Sequence, residues 1–312
     1  MNHALTALTD ELRRLKAAGV KTVSVSDESI VRLRKAQSRA RPELTQNRPA
    51  APATPPVRRA DVSPAESVRP KSASRPPVET KPEVVVSSIP PPVPFVLPPG
   101  DKASRMAALR AQVLGDVTCC ANVRAGKKLV VGVGSVDAKI MFVGEAPGSE
   151  EELQGEPFVG PAGQLLTKMI GAMGLTRGDV YIGNIMNWRP QMPVNESGVQ
   201  YGNRPPTNEE MNYCLPYLRA QIEIVNPDLL VALGTTAAQG LLGVGSFKAL
   251  ADVRGRWTEF AGKPLLVTYH PSYILRNQSN RSKRMIWDDL LKVMERAGLP
   301  ISEKQRGYFL DK

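Results

Sequence analysis

The chain has 312 residues, three cysteines, 28 prolines and a formal net charge of +11. That length suits one sizeable domain with extra segments, or two domains. Three cysteines exclude a disulfide framework and fit a reducing cytoplasm, and the lack of any 18-residue apolar run excludes a membrane-spanning helix.

The positive balance points to an acidic partner, with nucleic acid ahead of an anionic membrane surface. The charge is uneven. Residues 1–100 carry 16 Lys and Arg against nine Asp and Glu, so +7 lies there and only +4 beyond.

Residues 1–40 are expected to form a short helical basic module. Leu5, Leu8, Leu12 and Leu15 recur at spacings of 3 and 4. Residues 41–100 hold 16 of the 28 prolines and read as a disordered linker, extended around Pro90-Pro91-Pro92. The start, Met1 to Asp10, has no apolar core of signal-peptide type.

Residues 101–300 read as one α/β domain, followed by a C-terminal tail, 301–312. Short apolar runs predict strands over 128–134, 138–143, 180–185, 228–233 and 264–269. Helical spacing predicts helices over 102–113, 161–173, 208–225, 235–242 and 281–297. Strand–helix alternation implies a central parallel sheet covered on both faces, a three-layer α/β/α fold.

Chemistry-bearing residues gather at the predicted carboxyl ends of strands, where open α/β folds bind ligands. Gly144-Glu145-Ala146-Pro147-Gly148 follows the second strand and leads into the acidic run Glu150-Glu151-Glu152. Phe158 stands before a helix start at Pro161. Asn184 ends the third strand; its amide offers one donor and one acceptor face to a base edge, or simply makes a turn. His270, one of two histidines, follows the last strand and opens His270-Pro271-Ser272-Tyr273-Ile274-Leu275-Arg276. No P-loop, no GxGxxG and no CxxC is present.

These motifs, in this order, together with Trp188-Arg189-Pro190 and 227–234, resemble the family 4 uracil-DNA glycosylases from about Val117 to Ala297. The resemblance implies the uracil-DNA glycosylase fold and hydrolysis of the N-glycosidic bond of uracil in DNA during base-excision repair. Gly144, Ala146, Pro147, Phe158 and Asn184 would bind the base. Glu145 would position water, with Glu151 behind it, and His270 would donate to uracil O2. Ser272, Ile274, Leu275 and Arg276 would contact DNA, with Ile274 or Leu275 as the wedge in the stack. DNA containing uracil is the implied partner, with a replication or repair protein reached through the N-terminal segment. A monomer in the cytoplasm is expected.

The family also implies a [4Fe–4S] cluster on four cysteines. Here two of those positions are Val117 and Trp188. Cys120 and Cys214 fit the other two, and Cys119 is extra. Four thiolates are the usual requirement, so the set is incomplete and no cofactor is secure. About ten residues between Pro190 and Gly202 are also additional. Two alternatives stay open: a cluster-deficient, weakly active or inactive protein that binds uracil or damaged DNA, and a glycosylase for another deaminated base.

Overall fold

The computed structural model describes residues 89–195, 200 and 202–310. The basic module at 1–40 and the linker up to residue 88 lie outside the described residues. Four apolar runs form the centre of one six-stranded sheet: β2 (Ile140–Gly144), β3 (Tyr181–Asn184), β4 (Leu229–Leu233) and β6 (Lys263–Thr268). They run parallel in the order β3-β2-β4-β6. Side chains alternate across the pleat. Met141, Val143, Leu230 and Ala232 enter one core; Ile140, Phe142, Val231 and Leu233 enter the other.

The first core is closed by α1 (Lys102–Gly115), α5 (Asn208–Val225) and α6 (Thr235–Leu242). The second is closed by α4 (Pro161–Ala172) and α9 (Asn280–Arg296). This is the expected three-layer α/β/α arrangement. Shorter helices are α2 (Val117–Ala121), α3 (Ser149–Gln154), α7 (Leu250–Val253), α8 (Pro271–Arg276) and α10 (Glu303–Arg306).

The sheet is mixed rather than wholly parallel, because both edges are antiparallel. β1 (Val133–Gly134) pairs with β3, and β5 (Trp257–Phe260) pairs with β6. The strand expected over 128–134 shrinks to two residues. Its first half bonds to a loop instead: Val130 N donates to Asn187 O at 2.8 Å, and Asn187 Nδ2 donates back to Val130 O at 3.1 Å.

The end of the proline-rich stretch is not free linker. Ile89, Phe95 and Leu97 pack against the first core, and Phe95 stacks on Tyr217 with ring centroids 5.1 Å apart. Residues 89–97, expected as the end of the linker, thus pack on the domain. The tail is anchored too: Trp287 Nε1 donates to Gln305 O at 2.6 Å, and Gln305 Nε2 donates to Ala172 O at 2.9 Å. Among the described residues, no helix is long and apolar enough to cross a membrane.

Candidate active site

The parallel strands end on one side of the sheet, and Gly144 pairs with Asn184 at that edge. A cleft of about 640 Å³ opens there. Glu145, Ala146, Phe158, Asn184, His270, Ser272 and Arg276 all line it. Gly144 and Pro147 do not; Pro147 is buried and Gly144 stands behind the lining.

Phe158 forms an apolar wall of the cleft. Its φ is +55°, a left-handed conformation that costs a bulky residue free energy. Three neighbours hold it. Gly163 leaves room: a Cβ there would stand 1.8 Å from Phe158 O. Glu151 accepts from Val159 N at 3.0 Å, Gly160 N at 2.9 Å and Gly148 N at 3.1 Å, tying the Gly144–Gly148 turn to the Phe158 loop. Arg177 donates to Phe158 O at 3.1 Å and Pro157 O at 2.9 Å. Glu151 is thus engaged with three backbone amides, which corrects its reading as a reserve residue for water.

Asn184 is 6% exposed, and its Oδ1 has no hydrogen-bond partner among the described residues. A buried polar atom without a partner costs about 1–3 kcal/mol, and the residue that carries this one lines the cleft. Gly144 makes the arrangement sterically possible. A Cβ at Gly144 would lie 2.4 Å from Asn184 Oδ1 and 2.5 Å from the Phe158 ring. Glycine is required by close approach, since its φ is not positive.

His270 caps the N-terminus of α8. Ser272 N donates to His270 Nδ1 at 3.1 Å, and Ser272 Oγ lies 2.8 Å from the same nitrogen. Nδ1 is therefore an acceptor, which leaves the proton of the neutral ring on Nε2. Burial, aided by the charge of Arg276, lowers its pKa to about 4, so the ring is neutral at neutral pH. The His270 and Phe158 rings are 5.6 Å apart between centroids. Ser272 thus holds the His270 ring from within the cleft lining.

Glu145 sits deeper than an ordinary carboxylate. Burial raises its pKa, and a hydrogen bond with Thr236 partly opposes the shift. Thr236 and Asn203 also line the cleft and were not singled out from the sequence. Asn203 is fixed from behind: Arg189 Nε donates to its Oδ1 at 2.8 Å, while Arg189 Nη1 pairs with Glu152 at 2.9 Å.

The two wedge candidates separate. Ile274 is 7% exposed and belongs to the second core, whereas Leu275 is 41% exposed beside the exposed Arg276. Ile274 cannot reach DNA from inside the core.

The residues at the implied cluster positions do not fit a four-thiolate cluster. Val117 is 83% exposed, and Trp188 is fully buried against Tyr213. Cys120 is exposed, with Sγ 3.3 Å from Leu114 O, while Cys119 and Cys214 are buried. A hydrogen bond with Cys214, together with burial, pushes the Cys119 thiol up. Among the described residues no cluster of three or more His, Cys, Asp or Glu is placed to hold a metal.

Comparison with known proteins agrees with this geometry. The family model "Uracil DNA glycosylase superfamily" matches residues 131–291. A type-4 uracil-DNA glycosylase of Thermotoga maritima is 45% identical over 166 residues, which is 53% of this chain and 81% of that protein. The type-4 enzyme of Archaeoglobus fulgidus is 41% identical over 175 residues, 54% of this chain and 82% of its own length. A type-5 uracil-DNA glycosylase of Pyrobaculum aerophilum is 30% identical over 169 residues, 53% of this chain and 73% of that protein. The matched segment carries the sheet, the Phe158 shelf, Asn184 and His270, and on it this chain belongs to the uracil DNA glycosylase superfamily.

Proposed function

We propose that this protein is a uracil-DNA glycosylase that flips uracil out of DNA and hydrolyses its N-glycosidic bond. The observation that carries the reading is the buried, unpartnered Oδ1 of Asn184, a residue set beside Phe158 and lining the cleft that holds His270. Uracil presents a donor at N3 and an acceptor at O4. One amide complements that pair, with Oδ1 accepting from N3–H and Nδ2 donating to O4.

A base inside a duplex is out of reach, so it must be extruded, at a cost of a few kcal/mol. Leu275, exposed at the end of α8, fills the vacated stack and offsets that cost. Arg276 beside it supplies charge for a phosphate. The extruded base lies on Phe158, where stacking is worth about 1–3 kcal/mol.

Cleavage breaks the C1′–N1 bond, and its electron pair leaves with uracil. Negative charge builds at O2, where the His270 Nε2–H donates. A neutral donor needs no proton transfer, and a preorganised one is worth about 10²–10³ in rate. Water adds to C1′. Glu145 accepts its proton, a task suited to a carboxylate whose pKa burial has raised. Asn203, braced by Arg189, orients the same water. No step passes through a metal.

The test is a single-turnover excision assay on a uracil-containing oligonucleotide, read as alkali-labile strand cleavage and free uracil. Release of uracil, abolished by His270→Ala with Asn184→Asp, supports the reading. Tight binding of the same DNA with no uracil released would overturn it.

A further inference from the structure

The three segments on which the family's cluster ligands would lie are α2, the loop after β3 and α5. In this chain they meet around one buried carboxylate. Asp116, 8% exposed, caps α2 by accepting from Cys119 N at 2.6 Å. The same carboxylate accepts from Tyr213 Oη at 2.8 and 2.9 Å and from Tyr217 Oη at 2.7 Å. One backbone amide and two tyrosine hydroxyls thus serve this single carboxylate. Both tyrosines are buried on α5, four residues apart and so on one helix face.

Aromatic rings close the cluster from two sides. Trp188, from the loop after β3, tilts against Tyr213 at 6.1 Å between centroids. Phe95, from the segment preceding α1, stacks on Tyr217 at 5.1 Å. Four separate stretches of chain are thereby fastened at one point.

We infer that a metal-free lock, built from Asp116, Tyr213, Tyr217, Trp188 and Phe95, holds together the segments that a [4Fe–4S] cluster would otherwise join. Charge-assisted hydrogen bonds to one desolvated carboxylate are the strong kind. Taking one donor from such a network leaves the charge under-served, which is why each member matters. The lock also makes residues 89–97 part of the domain, since Phe95 is one of its walls.

The experiment uses the full chain, expressed with added iron and purified without oxygen. Iron, acid-labile sulfide and visible absorbance are measured, then melting temperature with and without a strong iron chelator. The expected result is iron well below one atom per chain and an unchanged melting temperature in chelator. About four irons per chain, or a chelator-induced drop, would overturn the inference. The conservative variants Tyr217→Phe and Tyr213→Phe keep the core filled and remove one donor each, while Phe95→Ala removes the ring stacked on Tyr217. Each is expected to lower the melting temperature by about 3 °C or more. If all three melt as the unaltered protein does, the lock does not carry the load assigned to it. None of these readouts requires uracil excision, so an inactive protein would sink the functional reading and leave this one standing.

Discussion

Arg177 reaches across 19 residues of sequence to donate to the carbonyl of Phe158 at 3.1 Å. With its second bond to Pro157 O, it holds a left-handed backbone that the chain would otherwise relax. The aromatic shelf is therefore positioned from behind, by a residue that does not line the cleft. Replacing it tests whether shelf geometry limits the rate. Arg177→Ala is expected to slow single-turnover excision by about 10-fold and to weaken capture of an extruded base, because small misplacements of reacting groups are expensive. Arg177→Lys retains one donor and should recover part of the loss. Wild-type rates in both variants would show that Phe158 holds its place unaided.

His270 sets a pH signature. Its pKa is lowered from 6.5 to about 4, and the neutral ring already donates from Nε2 while Nδ1 accepts from Ser272 N. Excision should therefore show no loss attributable to His270 between pH 8 and about 5, and a fall as pH nears 4, where protonation of Nδ1 would break the Ser272 bond that orients the ring. Stability follows the same sign. Below pH 6.5 the unfolded chain protonates this residue while the folded chain does not, so acid costs stability until both are protonated below about 4. His270→Ala should cut the rate about 10²–10³-fold with little change in DNA affinity. A rate that drops with a midpoint near 6.5 in the unaltered enzyme would contradict the neutral-donor assignment.

Gly144 separates packing from chemistry. In Gly144→Ala the added methyl meets Asn184 Oδ1 at 2.4 Å and the Phe158 ring at 2.5 Å, so both base-reading groups must shift together. Excision should fall by about 10²-fold. Asn184→Asp keeps the volume, replaces the donor to O4 by an acceptor and adds an ionisable group, for about 10–10²-fold. Equal and small effects from the two changes would mean that the amide does not read the base.

Ile274 and Leu275 make a paired control. Leu275→Ala should impair excision from duplex more than from single strands, since only a duplex has a stack to fill, and should leave melting unchanged. Ile274→Ala should cost about 2–5 kcal/mol of stability through a core cavity. Melting curves and the duplex to single-strand rate ratio distinguish them; a reversal of the two results would exchange their roles.

The central strands and five main helices are legible in the sequence because apolar runs and helical spacing are strong local signals. Asn184, His270 and Phe158 are legible because each follows or precedes such an element at the sheet's carboxyl edge. Other features depend on distant partners. Arg177 acts on backbone carbonyls, which any residue carries, so no motif marks it. Asn203 enters the cleft only because Arg189 and the extra segment after Pro190 bring it there. Trp257-Thr258-Glu259-Phe260 is a short exposed edge strand with little apolar signal. Ile274 and Leu275 are chemically alike, and one step of about 100° around a helix decides which is buried.

The unserved oxygen of Asn184 also bears on what happens after the bond is cut. Glycosidic cleavage alters the base only at N1, while N3–H and O4 keep their pattern. Free uracil therefore satisfies the same amide and lies on the same ring, so the cleft retains its product. Accumulating uracil should inhibit turnover competitively. It should also raise the melting temperature, since any ligand held by the folded state alone stabilises it, by about 2.7 kcal/mol at a hundred times its dissociation constant. A multiple-turnover rate slower than the single-turnover rate, and restored by removing free uracil, would show that release of the excised base sets the pace of successive rounds.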